Sequence, residues 1–87
     1  MKPIRFSQHA LDQMRMRGAT EAEVREAIET TQWQPAKRGK RRAQKRFPFG
    51  HPSPINQQVY SLKSVDAVFA VEADEIVVVT VSVYYGN

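Results

Sequence analysis

The run Ile76 to Tyr85 reads Ile-Val-Val-Val-Thr-Val-Ser-Val-Tyr-Tyr, and no other stretch constrains the fold as tightly. β-branched and aromatic residues fit a pleated surface and lose rotamer freedom in a helix, so the spacing predicts a strand over 76–85. Successive side chains alternate across a strand. A regular strand therefore places Val77, Val79, Val81, Val83 and Tyr85 on one face and Ile76, Val78, Thr80, Ser82 and Tyr84 on the other. The all-valine face is the expected core, which makes Val79→Asp an unfolding substitution. The opposite face turns polar at Thr80, Ser82 and Tyr84 and is expected to stay open. An open sheet face with hydroxyls is where function is sought, the alternative being an ordinary half-solvated antiparallel sheet.

A valine face needs a cover, and the N-terminal third supplies it. Lys2 to Phe6 reads as a brief strand or an extended lead-in. Ser7 offers an N-cap hydroxyl to a run of good helix formers that ends at Gly18, predicting a helix over 8–17 with Ala10, Leu11 and Met14 as its apolar stripe. His9, Gln13 and Arg17 line one border of that stripe. Thr20-Glu21-Ala22-Glu23 is a capping box that opens a second helix over 20–31, with Val24, Ala27 and Ile28 buried. With only Gly18-Ala19 between them, the two helices must form a tight αα-hairpin. Trp33, the only tryptophan, is expected to plug the seam between helices and sheet.

The rest of the chain is strand and turn. Residues 42–47 suit a charged edge strand, 49–57 hold too many Gly and Pro breakers for a regular element, and 58–62 and 65–72 read as strands. Ala73-Asp74-Glu75 turns the chain into the final strand as an acidic hairpin. The expected fold is a single α+β domain over residues 1–87: an N-terminal αα-hairpin packed on a three- to four-stranded, mainly antiparallel sheet.

Charge points to a partner class. The chain carries 13 basic and 9 acidic residues, a net charge of +4. Seven of the bases, Lys37, Arg38, Lys40, Arg41, Arg42, Lys45 and Arg46, fall within ten residues that contain no carboxylate. That density exceeds what edge protection needs and suits phosphate binding, with Phe47, Phe49 and Tyr60 as candidate stacking platforms. Such a patch binds any polyanion and does not separate RNA from DNA. The absence of cysteine removes disulfides, thiolate metal sites and a cysteine nucleophile. No apolar run of signal-peptide or membrane-spanning length is present, so a cytoplasmic location without membrane contact is expected. His51 has no partner at ligand spacing and the Glu72/Asp74/Glu75 group suits a solvated turn, so neither a metal nor another cofactor is expected.

Two stretches carry a resemblance. The order Phe6-Ser7-x-His9-Ala10-x4-Arg15-x-Arg17-Gly18-Ala19-Thr20-x2-Glu23-Val24-x2-Ala27-Ile28, with the closing Val79-Thr80-Val81-x-Val83-Tyr84, resembles the bacterial domain-of-unknown-function 4258 family. It covers both ends of the chain and leaves about 37–57 poorly matched. It implies the compact fold of RelE-like and colicin-type ribonuclease toxins, with RNA as substrate and an antitoxin protein as partner.

RNA cleavage by 2′-hydroxyl attack needs a base, a cation for the phosphorane charge and an acid for the leaving oxygen, but no metal. His9 is the candidate base, because imidazole can accept and return a proton near neutral pH. Arg17 and Arg15 are candidate cations, and Thr80 and Tyr84 candidates to orient the phosphate or the leaving group. His9 and Arg17 are about 12 Å apart along a helix axis, so they could embrace a nucleotide without touching. A small, metal-independent, toxin-like RNA endonuclease is thus the leading expectation. The alternatives are a non-catalytic nucleic-acid-binding module of the same fold and an interaction protein whose basic strip takes an acidic partner.

Overall fold

Ser7 opens the first helix as its type suggests: its hydroxyl accepts from the Ala10 amide at 3.1 Å. In a computed structural model that describes residues 1–87, this helix is α1 (Gln8–Arg17), and it follows the short strand β1 (Ile4–Phe6). Gly18 ends it at φ +87°, with its amide bonded to the Met14 carbonyl at 2.8 Å. The capping box then forms in both directions. Thr20 Oγ1 accepts from the Glu23 amide at 3.1 Å and Glu23 Oε1 accepts from the Thr20 amide at 3.0 Å, which starts α2 (Glu21–Thr30).

Strands β2 (Gln34–Pro35), β3 (Arg41–Pro52), β4 (Val59–Val71) and β5 (Ile76–Gly86) complete the chain. They form one sheet in the order β1-β5-β4-β3-β2. All neighbours run antiparallel except β1 and β5, which pair in parallel from Ile4 opposite Ile76 to Phe6 opposite Val78. The fold is therefore α+β, two N-terminal helices on one face of a five-stranded, mixed, mostly antiparallel open sheet. The strands expected over 58–62 and 65–72 are one continuous strand, β4, the lead-in before Ser7 is the brief strand β1, and the two-residue β2 was not expected because it is too short to carry a pattern of its own. No helix is long and apolar enough to cross a membrane.

The core lies between the helices and one sheet face. Ala10 and Met14 of α1 and Val24, Ala27 and Ile28 of α2 are buried against Ala43, Val65, Ala67, Phe69, Ile76, Val78, Val81 and Val83. Trp33 plugs the seam: its ring meets Phe69 edge-on at 5.0 Å, and its Nε1–H donates to the Ile28 carbonyl at 2.7 Å.

The last strand does not keep one face throughout. Phe69 stands opposite Val78 and Val68 opposite Thr80, so Val79 is an extra residue without a partner, a β-bulge. Before it, Ile76 and Val78 enter the core. After it, Val81 and Val83 do. The expectation that Val77 and Val79 belong to the core face is thus overturned: both are only half-buried on the open side, so the ground for expecting Val79→Asp to unfold the domain is gone. A second bulge shortens the expected loop at 49–57 to its second half, 53–57. Pro48 faces Leu62 and His51 faces Tyr60, with Gly50 at φ +87° between them, so β3 continues to Pro52 before a turn closed by the Ser53 amide on the Gln58 carbonyl at 2.8 Å.

β1 covers only the first part of the β5 edge, and α1 covers the next part with side chains. The Val81 amide donates to Gln13 Oε1 at 2.8 Å, and Arg17 Nη1 donates to the Val81 carbonyl at 2.8 Å. Tyr85 closes the same seam by donating to the Arg17 carbonyl at 2.6 Å, and burial pushes its phenol above the usual range. Behind it, buried Lys63 ties β4 to the helix turn. Its Nζ lies 2.9 Å from the Gly18 carbonyl and 2.8 Å from Glu23 Oε2.

Candidate nucleic-acid interface

Strand alternation sorts the basic segment into two sets. Ala43 is buried under the helices, so Arg41, Lys45 and Phe47, which share its parity, belong to the helix side. Lys45 is neutralised there, 2.9 Å from Glu26 Oε2 and 2.9 Å from Thr30 Oγ1. Arg42 and Arg46 point to the open side. Arg42 sits in register with Val68 and Thr80, Gln44 with Asp66 and Ser82, and Arg46 with Ser64 and Tyr84. The open face thus carries three cross-strand rows whose side chains are all polar or charged except Val68.

One end of that face is walled. Residues 34–40 fold back through β2 and a single 3₁₀ turn at Lys37–Gly39, held by the Ala36 amide on the Lys40 carbonyl at 2.9 Å. Arg38 adopts the left-handed conformation at φ 59° without being glycine, a conformation that costs an L-residue roughly 1–2 kcal/mol. The wall and the sheet enclose a groove of about 760 Å³, lined by Lys37, Arg38, Lys40 and Arg42 around Val68, Val79 and Thr80. Four of the seven predicted cations therefore converge with the predicted Thr80. The bulge makes this possible, because it puts Val79 and Thr80 together on the groove floor.

The other end holds Tyr84, 57% exposed. Tyr84 lines a depression of about 240 Å³ with Arg46 and Ser64, and another of about 260 Å³ with Arg17, Ser82 and Ile55. Of the five residues expected to act in catalysis, Arg17 and Tyr84 thus meet in one recess, while Thr80 lies two rows away, about 13 Å along the strand. Part of the Arg17 guanidinium is already committed to the Val81 carbonyl. His9 and Arg15 enter none of the three recesses. His9 is exposed on the flank of α1 that carries Gln13 and Arg17, and Arg15 is exposed 3.9 Å from Asp12. Phe47 and Phe49 are also turned to the helix side, Phe49 lying 5.1 Å from the Tyr85 ring and beneath the Lys63 ammonium. Tyr60 packs 5.8 Å from Tyr85 at an end of the hairpin. The exposed aromatic of the open face is Tyr84 instead.

Asp66 was missed by sequence reasoning. It lies in the middle row of the open face and is only 9% exposed. Burial pushes its carboxyl above the ordinary range, and Arg42, whose Nε is 3.1 Å from Asp66 Oδ1, pulls it back down. That contact has the distance of an ion pair without the alignment of a hydrogen bond, and Oδ1 has no other partner. No group of three His, Asp or Glu side chains is placed so that it could hold a metal ion. Comparison with protein-family models, curated proteins and solved structures found no match to this chain.

Proposed function

We propose that this chain binds single-stranded RNA across the open sheet face, with backbone phosphates in the groove between Lys37, Arg38, Lys40 and Arg42 and a base against Tyr84. The observation that carries this reading is the sorting of the basic segment by alternation. Arg42 is turned to the open side and joins Lys37, Arg38 and Lys40 of the folded-back wall beside Thr80, Arg46 is turned the same way beside Tyr84, and Lys45 is neutralised by Glu26 on the other side. Phosphate neutralisation supplies affinity, and an exposed aromatic accepts any base by stacking. RNA rather than DNA is favoured by the resemblance of the two chain ends to a family linked with ribonuclease toxins. The antitoxin protein that the resemblance implies would act by covering this same face.

A second reading, metal-independent RNA cleavage, is favoured by the shared recess of Arg17 and Tyr84. There Arg17 would stabilise phosphorane charge and Tyr84 would orient the leaving group, with His9, about two turns away on the same flank of α1 as Arg17, as the base.

The test is binding of a single-stranded RNA oligonucleotide over a range of salt. Replacing Lys37, Lys40 and Arg42 by Ser should flatten the slope of log affinity against log salt by about 2, at roughly 0.7 per phosphate contact. Replacing Arg41 and Lys45 should change it far less. Equal effects of the two sets would refute the open-face assignment. Cleavage is read separately as 2′,3′-cyclic phosphate ends, which His9→Ala should abolish while leaving binding intact. Ends produced at the parental rate would remove His9 from the mechanism.

A further inference from the structure

A buried carboxylate in the middle of a basic face calls for an explanation, because an underserved polar atom is costly and an acid opposes the binding of any anion. Asp66 is buried, its Oδ1 has one ionic neighbour, and that neighbour, Arg42, also lines the 760 Å³ groove. The guanidinium is 47% exposed and the carboxylate only 11%, so Arg42 is the member of the pair free to turn outward. Lys37, Arg38 and Lys40 make no ion pair and stand on the same groove.

We propose that the groove is a proton-coupled phosphoryl site. An oxyanion, whether a backbone phosphodiester or a free ion such as sulfate, seated among Lys37, Lys40, Arg42 and Thr80 takes the Arg42 guanidinium from Asp66, and Asp66 accepts one proton from solvent. The inference rests on the open-face reading above and adds how that face responds to its ligand.

The energetics favour the exchange. Arg42 is the only group that offsets the burial of the Asp66 carboxylate, so a ligand that engages Arg42 leaves that carboxylate both desolvated and uncompensated, and protonation removes the cost. Besides the groove's own Lys37, Arg38 and Lys40, the charged or titratable groups on the face are Arg46, one row along β3, Tyr84, one row along β5, and Arg17 of α1, which shares a recess with Tyr84 and with Ser82, the register partner of Asp66. The bodies of both helices lie on the opposite side, Arg17 alone among the residues lining these recesses coming from a helix, and the flanking β4 residues, Ser64 and Val68, do not titrate. Anion affinity should therefore rise as pH falls through the Asp66 midpoint, and by reciprocity a bound anion should raise that midpoint.

The experiment follows the Asp66 carboxyl carbon by NMR across pH in the intact chain, with tens of millimolar sodium sulfate or with sodium chloride of equal ionic strength. Sulfate does not itself titrate in this range. A rise of about one pH unit in the Asp66 midpoint is expected, equivalent to about tenfold tighter sulfate binding when Asp66 is protonated. A midpoint that sulfate leaves unchanged relative to chloride overturns the proposal. Arg42→Gln should raise the midpoint on its own and abolish the response; a response that survives also overturns it. Asp66→Asn should bind sulfate about tenfold tighter at pH 7 with no pH dependence through this range. A second arm replaces sulfate with a single-stranded RNA oligonucleotide. A midpoint raised by both identifies the ligand as a backbone phosphate, whereas one raised by sulfate alone upholds the site for a free oxyanion and refutes the RNA reading.

Discussion

The bulge at Val79 makes a sharp prediction, because it exchanges the roles of two neighbouring valines. Val78 is 0% exposed beneath the helices, while Val79 sits on the groove floor beside Lys37, Arg38, Lys40 and Arg42. In Val78→Asp the domain loses about 1.5–3 kcal/mol of apolar burial, and it must also bury a carboxyl group with no partner, at several kcal/mol more. An 87-residue domain has about 4–13 kcal/mol in total, so this variant should be largely unfolded. Val79→Asp adds a solvated charge among cations and should change stability by no more than about 1 kcal/mol. It should act on binding instead, lowering the salt slope for single-stranded RNA by about 0.7, the value of one phosphate contact. Urea unfolding followed by far-ultraviolet circular dichroism separates the two variants. A folded Val78→Asp beside an unfolded Val79→Asp would refute the bulge and restore an uninterrupted strand.

Two further substitutions probe the seam between the helix turn and β5. A Cβ on Gly18 would lie 2.6 Å from the Tyr85 hydroxyl and 2.9 Å from Pro54 Cγ, at a backbone φ of +87°. Gly18→Ala should therefore cost about 2–3 kcal/mol in urea unfolding, from left-handed strain and the displaced hydrogen bond, and should cost less in a Tyr85→Phe background, where no hydroxyl is in the way. Lys63→Ala removes the partner of Glu23 and of the Gly18 carbonyl. Glu23 retains some access to water, so a loss near 3 kcal/mol is expected, and a Glu23→Gln background should reduce it. Strict additivity would show that the pair does not act as a unit.

How legible each part was depended on whether its determinants were local. Ser7, Gly18, Thr20 and Glu23 act within a few residues of themselves, so both helices and the turn between them could be read from sequence. The faces of β5 could not, because the bulge is fixed by register against β4 rather than by any signal near Val79. The Gly-Pro-rich stretch after Phe47 looked like a loop because Pro removes an amide. An outer strand has amides to spare, and Gly50 supplies the left-handed turn that keeps β3 paired. The basic segment was visible as composition, but its division between the two faces needed the parity set by buried Ala43. Asp66 gave one faint signal, an acid at a polar position of an otherwise apolar alternating strand. Its partner Arg42 is 24 residues away and is brought to it by strand pairing alone.

The placement of β5 between β1 and β4 governs when the molecule can exist during synthesis. Residues 76–86 provide the ladder for β1, the anchor points for Gln13 and Arg17, and the floor on which Thr80, Ser82 and Tyr84 stand. A nascent chain that has not yet released this stretch from the ribosome can pair β3 with β4, but it lacks the partner of β1, the anchor for α1 and the Val79-Thr80 floor of the groove. Pairings across some 70 residues also form slowly. The open face should therefore appear in one late, cooperative step, and a chain halted upstream of residue 76 should carry positive charge without a groove to organise it.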